Sequence, residues 1–161
     1  MHKESFEAIV PTRAKILILG TLPGDLSITQ QQYYAHPQNR FWKVLSELYQ
    51  ETELIQSQYH DKIDFLHKKH IALWDVCATA NRPGSMDNNI TEVIPNSIPS
   101  LLKKNTSIHS IYFNGQKAEK LFNKYFSKDE NLQYRCLPST SPANAQFSLK
   151  KLIDIWQIIK N

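Results

Sequence analysis

The residues able to do chemistry fall in a few short segments, each at the end of an apolar run. Gly20-Thr-Leu-Pro-Gly24 is a turn whose glycines allow backbone to come close to a ligand. Tyr33-Tyr-Ala-His-Pro-Gln-Asn-Arg-Phe-Trp42 supplies aromatic faces, one imidazole and the amide of Asn39. Asp75 and Asn114 each close an apolar stretch, and Ser139-Thr-Ser-Pro-Ala-Asn144 precedes the last amphipathic one. An amide is no strong base, but its oxygen can orient water and its NH2 can donate a hydrogen bond. An aromatic ring can stack a nucleobase, worth about 1–3 kcal/mol. Hydroxyls and free backbone amides at a helix start suit phosphate. Such a set works by positioning and electrostatics rather than by strong proton transfer.

Each residue also has a plainer use. Asn39 is a good helix cap, and Ser139 to Asn144 would cap a helix equally well. Asp75 either reads a ligand or holds a turn, and Asn114 either bonds a base or caps the helix after it. His36 in a His-Pro turn reads as structural, and Tyr33, Phe41 and Trp42 read as core. Lys117 suits a phosphate or open solvent.

The elements that must position these residues alternate along the chain. Apolar runs predict strands at 15–19, 71–76, 109–113 and 134–137. Helical periodicity predicts helices at 40–49, 59–69, 97–104, 116–125 and 146–159. Residues 77–94, with Asn81-Arg-Pro-Gly84, read as loop. This pattern predicts an α/β three-layer sandwich around a four-stranded, mostly parallel sheet. Its ligand belongs at the carboxyl ends of the strands, where all the segments above fall.

The 161 residues fit one domain with a real core. There is no stretch of ~20 apolar residues to cross a membrane. The N-terminus, Met-His-Lys-Glu-Ser-Phe-Glu, lacks the apolar centre of a signal peptide. Cys77 and Cys136 stand alone, which points to a reducing, cytoplasmic setting and no disulfide framework. Neither cysteines nor histidines have ligand spacing, so no metal or other cofactor is expected. The net charge of +4 is compatible with a nucleic-acid partner but does not demand one.

Taken in order, Gly20-Thr-Leu-Pro-Gly24, Tyr34-Ala-His-Pro-Gln-Asn-Arg-Phe-Trp42, Trp74-Asp75, Phe113-Asn-Gly-Gln-Lys-Ala118 and Leu137-Pro-Ser-Thr-Ser-Pro-Ala-Asn-Ala145 resemble the uracil-DNA glycosylase superfamily. The likeness is closest to its hypoxanthine-DNA glycosylase (DNA-deoxyinosine glycosylase) branch, then to the mismatch-specific branch. Many members carry an Asn or Asp in the first loop to position the hydrolytic water; Leu22 stands there in this chain. In hypoxanthine-type members the Asn of His-Pro-x-Asn is catalytic, which implies that role for Asn39. The resemblance further implies a base held by Tyr34, Leu22, Pro23, Gly24, Asp75 and Asn114. It implies DNA held by Ser139, Thr140, Ser141, Pro142, Ala143 and Asn144, with Pro142 and Ala143 as a small wedge. The iron–sulfur branches need four cysteines and are excluded.

The expectation is therefore a monofunctional glycosylase, a monomer without cofactor, acting on double- or single-stranded DNA that contains a deaminated base. Hypoxanthine is the preferred base and uracil, especially in mismatches, the alternative. A catalytically silent damaged-DNA-binding module is the competing class. A nucleotide-binding protein is disfavoured, because the Gly-Pro-Gly loop lacks the P-loop and dinucleotide spacings.

Overall fold

The computed structural model describes residues 1–161. Four strands, β2 (Ile16–Gly20), β3 (Ile71–Asp75), β6 (Ser110–Asn114) and β7 (Gln133–Leu137), form a sheet in the order β3-β2-β6-β7. All its neighbours are parallel. The central strand β2 is buried along its whole length, as a parallel strand covered on both faces must be. Its residues alternate between two cores. Ile16 and Ile18 meet helices α2 (Phe41–Tyr49), α3 (Tyr59–Lys68) and α6 (Leu149–Trp156). Leu17 and Leu19 meet α4 (Ile98–Lys104) and α5 (Gln116–Tyr125) on the other face. The expected three-layer α/β architecture is present.

Residues 77–94 are not the expected loop. They hold β4 (Cys77–Asn81) and all but the last residue of β5 (Thr91–Pro95), which join β1 (His2–Glu4) in a second, antiparallel sheet of order β1-β4-β5. The cause is tertiary. Cys-Ala-Thr-Ala-Asn has little β-propensity of its own, but Cys77 and Ala80 are small enough to pack into the second core. A short helix α1 (Asp25–Gln30) after the first loop was also not expected. The last helix is shorter than the periodicity predicts: Ser148 caps α6 by accepting a bond from the Lys151 amide, and residues Gln157–Lys160 tighten into a 3-10 turn.

From β2 the chain crosses to β3 on one side and later to β6 on the other. The strand order thus reverses beside β2, and the crevice at the carboxyl ends of β2 and β6 is where such sheets take ligands. No helix is long and apolar enough to cross a membrane.

Candidate active site

A cleft of about 940 Å³ opens at that crevice, within the range of small-molecule sites. It gathers nearly all the residues singled out in the sequence, from Gly20 to Gly24, Tyr34, Asn39, Asp75, Asn114 and Ser139 to Asn144. His36 and Gly115 line it as well.

Gly20 ends β2 where no side chain fits. A Cβ there would lie 2.6 Å from Asp75 Oδ1 and 2.9 Å from Tyr34 Oη. The missing atom lets the carboxylate and the phenol approach the same point of the cleft wall. After Gly20, the Leu22 side chain turns into the second core and is 6% exposed. The first loop therefore presents backbone to the cleft. Arg82, itself buried, donates to the carbonyl oxygens of Leu22 and Pro23 at 3.3 and 2.5 Å. Asp87 pairs with Arg82 at 3.3 Å and accepts the Thr21 hydroxyl at 2.9 Å. Ser85 Oγ accepts the Asp25 amide, and Lys3 pairs with Asp25. The segment between β4 and β5 thus holds the first loop in place. Nothing in the sequence marked Arg82 or Asp87, because the guanidinium's main partners are backbone oxygens with no residue signature.

Asp75 is 4% exposed and accepts the Ser5 hydroxyl at 3.0 Å. Burial pushes its carboxyl up to about 7. The Ser5 bond and the Arg82 charge oppose that rise, and Asp87 adds to it. A buried carboxyl that changes charge near neutrality, at a cleft wall, is a group suited to reading a polar ligand edge.

Tyr34 adopts a left-handed backbone, φ 55°, and stacks on Phe41 with ring centroids 4.1 Å apart. Burial pushes its phenol far above the ordinary range, so it remains protonated. Its neighbour Tyr33 is core, as expected: it is 3% exposed and its hydroxyl donates to the Glu7 carbonyl. Phe41 and Trp42 are likewise buried.

Asn39 stands one residue before Arg40, which holds the cap position of α2, and still serves the start of that helix. Its Oδ1 accepts the Phe41 amide at 3.0 Å, an Asx turn that starts α2, and the residue also lines the cleft. The same oxygen accepts the Thr140 hydroxyl at 2.9 Å. His36 Nδ1 accepts the Gln38 amide and so serves the turn before the cap.

Asn114 and Thr140 stand differently from expectation. Asn114 is not a helix cap, since Gly115 occupies that position with φ 100°. Its Oδ1 accepts the Thr140 amide, and its Nδ2 donates to Tyr34 Oη and Thr140 Oγ1 at 3.1 and 3.0 Å. Both amide protons are engaged, so none is left for a base. Thr140 has no exposed surface, so it stands behind the site and not on its DNA-facing rim. Pro142 and Ala143 do project to solvent. Ser139 and Ser141 accept the amides two residues on, which stiffens this last loop. Arg40 completes it, donating to the carbonyls of Thr140, Ser141, Asn144 and Phe147. No three His, Cys, Asp or Glu side chains gather as metal ligands.

The fold and the cleft define a three-layer α/β protein with a stacking ring, a buried carboxyl and a polar amide at the strand ends. Comparison with known proteins places it further. Residues 7–160 match the family model of the uracil DNA glycosylase superfamily. A hypoxanthine DNA glycosylase of Methanosarcina acetivorans is 36% identical over 159 residues, 99% of this chain and 98% of its own. One of Methanosarcina barkeri is 36% identical over 118 residues, 73% of this chain and 74% of its own. A Methanosarcina acetivorans protein solved by solution NMR as a candidate uracil DNA glycosylase superposes with a TM-score of 0.81 at 33% identity, over 100% of both chains. The chain belongs to the uracil DNA glycosylase superfamily.

Proposed function

We propose that this protein is a monofunctional DNA glycosylase that releases hypoxanthine from DNA by hydrolysing its N-glycosidic bond. The observation that carries the reading is the cleft at the strand ends, which joins Asn39, Tyr34 and Asp75 while the first loop contributes no acid or amide side chain. Relatives named for hypoxanthine at 36% identity support the substrate.

The nucleotide flips out of the helix, and its base enters the cleft against Tyr34. Unpairing is easiest for a mismatched or damaged base, which favours a deaminated one. Pro142 and Ala143, exposed on the last loop, fill the space it leaves. Hypoxanthine carries a proton on N1 where adenine has a lone pair, so an ionised Asp75 accepts from the former and repels the latter. The C1′–N9 bond then breaks, its electron pair leaving with the purine and the sugar becoming oxocarbenium-like. Water attacks C1′ and loses a proton to solvent, and the departing purine anion takes up a proton from solvent. The products are free hypoxanthine and an abasic site. No lysine lines the cleft to form a Schiff base, so the strand is left intact. The protein acts as a monomer, on double- or single-stranded DNA.

Uracil presents an equivalent N3 proton to Asp75 and is the competing substrate, favoured by the fold neighbour described as a candidate uracil DNA glycosylase. Alkali cleavage of duplexes bearing one hypoxanthine, one uracil opposite guanine, or only normal bases separates the readings. Hypoxanthine released well ahead of uracil supports the proposal. Preferential uracil release moves the protein to the mismatch-specific reading, and release of neither with intact DNA binding leaves a binding module.

A further inference from the structure

The hydrogen-bond directions around Asn39 can be assigned without ambiguity, and they decide which half of its amide faces a substrate. A backbone N–H only donates, so the Asn39 atom 3.0 Å from the Phe41 amide is the oxygen. By the same logic the Asn114 atom 3.0 Å from the Thr140 amide is its oxygen, and the Asn114 NH2 donates to Thr140 Oγ1. Thr140 Oγ1 therefore receives a proton from Asn114 and has its own to give. Its acceptor is Asn39 Oδ1 at 2.9 Å. Asn39 Oδ1 thus holds two donors, and a carbonyl oxygen has two lone pairs. The NH2 group has no protein partner, and the residue lines the cleft.

We infer that Thr140 is a positioning residue that locks Asn39 as a hydrogen-bond donor to the departing base, so that Asn39 does not orient water through its oxygen. This rests on the glycosylase reading above. As the C1′–N9 bond breaks, negative charge gathers on the purine, and a donor fixed beside its acceptor atoms binds that charge more tightly than the ground state. Water meets a sugar already cationic and needs no base. Asn114 is the outer bracket, holding Thr140 from both its amide and its hydroxyl.

Single-turnover release of hypoxanthine at pH 8 by wild type, Asn39→Ala, Asn39→Asp, Thr140→Val and Thr140→Ser tests the inference. No release by wild type removes the glycosylase reading itself. Given release, Asn39→Asp is the decisive variant, because it keeps the cap oxygen and replaces the donor by an acceptor. The expected result is a rate as low as that of Asn39→Ala, about 10²–10³-fold below wild type, the loss typical of one such donor. Retention of a tenth or more of the wild-type rate by Asn39→Asp overturns the inference. Thr140→Val, which frees Asn39 Oδ1, is expected to slow release about 10-fold or more, and Thr140→Ser to restore it to within about 3-fold. Equal losses in both Thr140 variants assign Thr140 a merely structural role and overturn its part, as does no loss in either. If Asn39→Asp fails to fold by thermal melting, the Thr140 pair decides.

Discussion

The first loop and the last loop face each other across one cleft, and each is held by an arginine that donates to backbone carbonyls. They differ in how that charge is treated. Arg82, which holds Leu22 and Pro23, is 1% exposed and paired with Asp87. Arg40, which holds the loop from Thr140 to Phe147, is half-buried and has no carboxylate partner. The first loop therefore keeps a nearly neutral wall beside Asp75, suited to a base. The last loop keeps a positive charge beneath exposed Pro142 and Ala143, suited to a phosphate backbone. One device, a guanidinium on carbonyls, serves two electrostatic ends.

The sharpest way to break this comparison is to remove each arginine. Arg82→Met is expected to give the largest stability loss, about 1–3 kcal/mol for each buried carbonyl left without a donor. Arg40→Met should lose less stability, because water reaches its half-buried loop, but should lose more DNA affinity at low salt. Urea unfolding and salt-dependent binding report the two effects. Equal stability losses with equal DNA binding would erase the distinction.

Gly20→Ala probes the neutral wall directly. Its Cβ would sit 2.6 Å from Asp75 Oδ1, so the carboxyl or Tyr34 must shift. The expected cost is about 1–3 kcal/mol of overpacking, with a loss of hypoxanthine release that exceeds what the reduced folded fraction explains. Activity that follows the folded fraction alone would show that the wall does not need its present shape.

Asp75→Asn sharpens the electrostatic half. The folded-state value is raised from 3.8 to about 7, so the folded protein binds a proton that the unfolded chain has already lost. Stability contributed by this group is fully present below about pH 4, declines as pH rises toward 7, and is then flat. Asp75→Asn should remove that decline, so its melting temperature gains on wild type across this window. In activity, the wild-type rate should climb through about pH 7 as the acceptor ionises, and the variant should lose that step. The smallest effect lies outside both loops. Ser148→Ala should cost about 1 kcal/mol from the lost α6 cap and leave hypoxanthine release unchanged.

Much of this was legible in the sequence. The parallel sheet declared itself because strands covered on both faces must be apolar at every position, as Ile16 to Leu19 are. Asn39 and Tyr34, on the segment between α1 and α2, were legible through the resemblance, since residue type alone reads Asn39 as a cap, and Asp75 was legible as a carboxyl closing an apolar strand. The second sheet was not. His2–Glu4 is polar and only three residues long, and it finds β4 across most of the first half of the chain. Arg40 and Arg82 were hidden for another reason: a carbonyl oxygen is the same in every residue, so a clamp on backbone leaves no pattern. Thr140 read as a DNA contact because a hydroxyl before a helix suits phosphate, and only packing shows that it faces inward.

The most direct test of the account is chromatographic detection of free hypoxanthine from a duplex with one deoxyinosine, comparing wild type with Asn39→Ala while measuring affinity for the same duplex. The account predicts that wild type releases the base, leaving an alkali-labile abasic strand. It predicts that Asn39→Ala releases little while still binding the duplex and remaining folded, at a stability cost of about 1–2 kcal/mol for the Phe41 amide and Thr140 hydroxyl left without their acceptor. Release by Asn39→Ala at the wild-type rate would contradict the central claim that this amide carries the reaction.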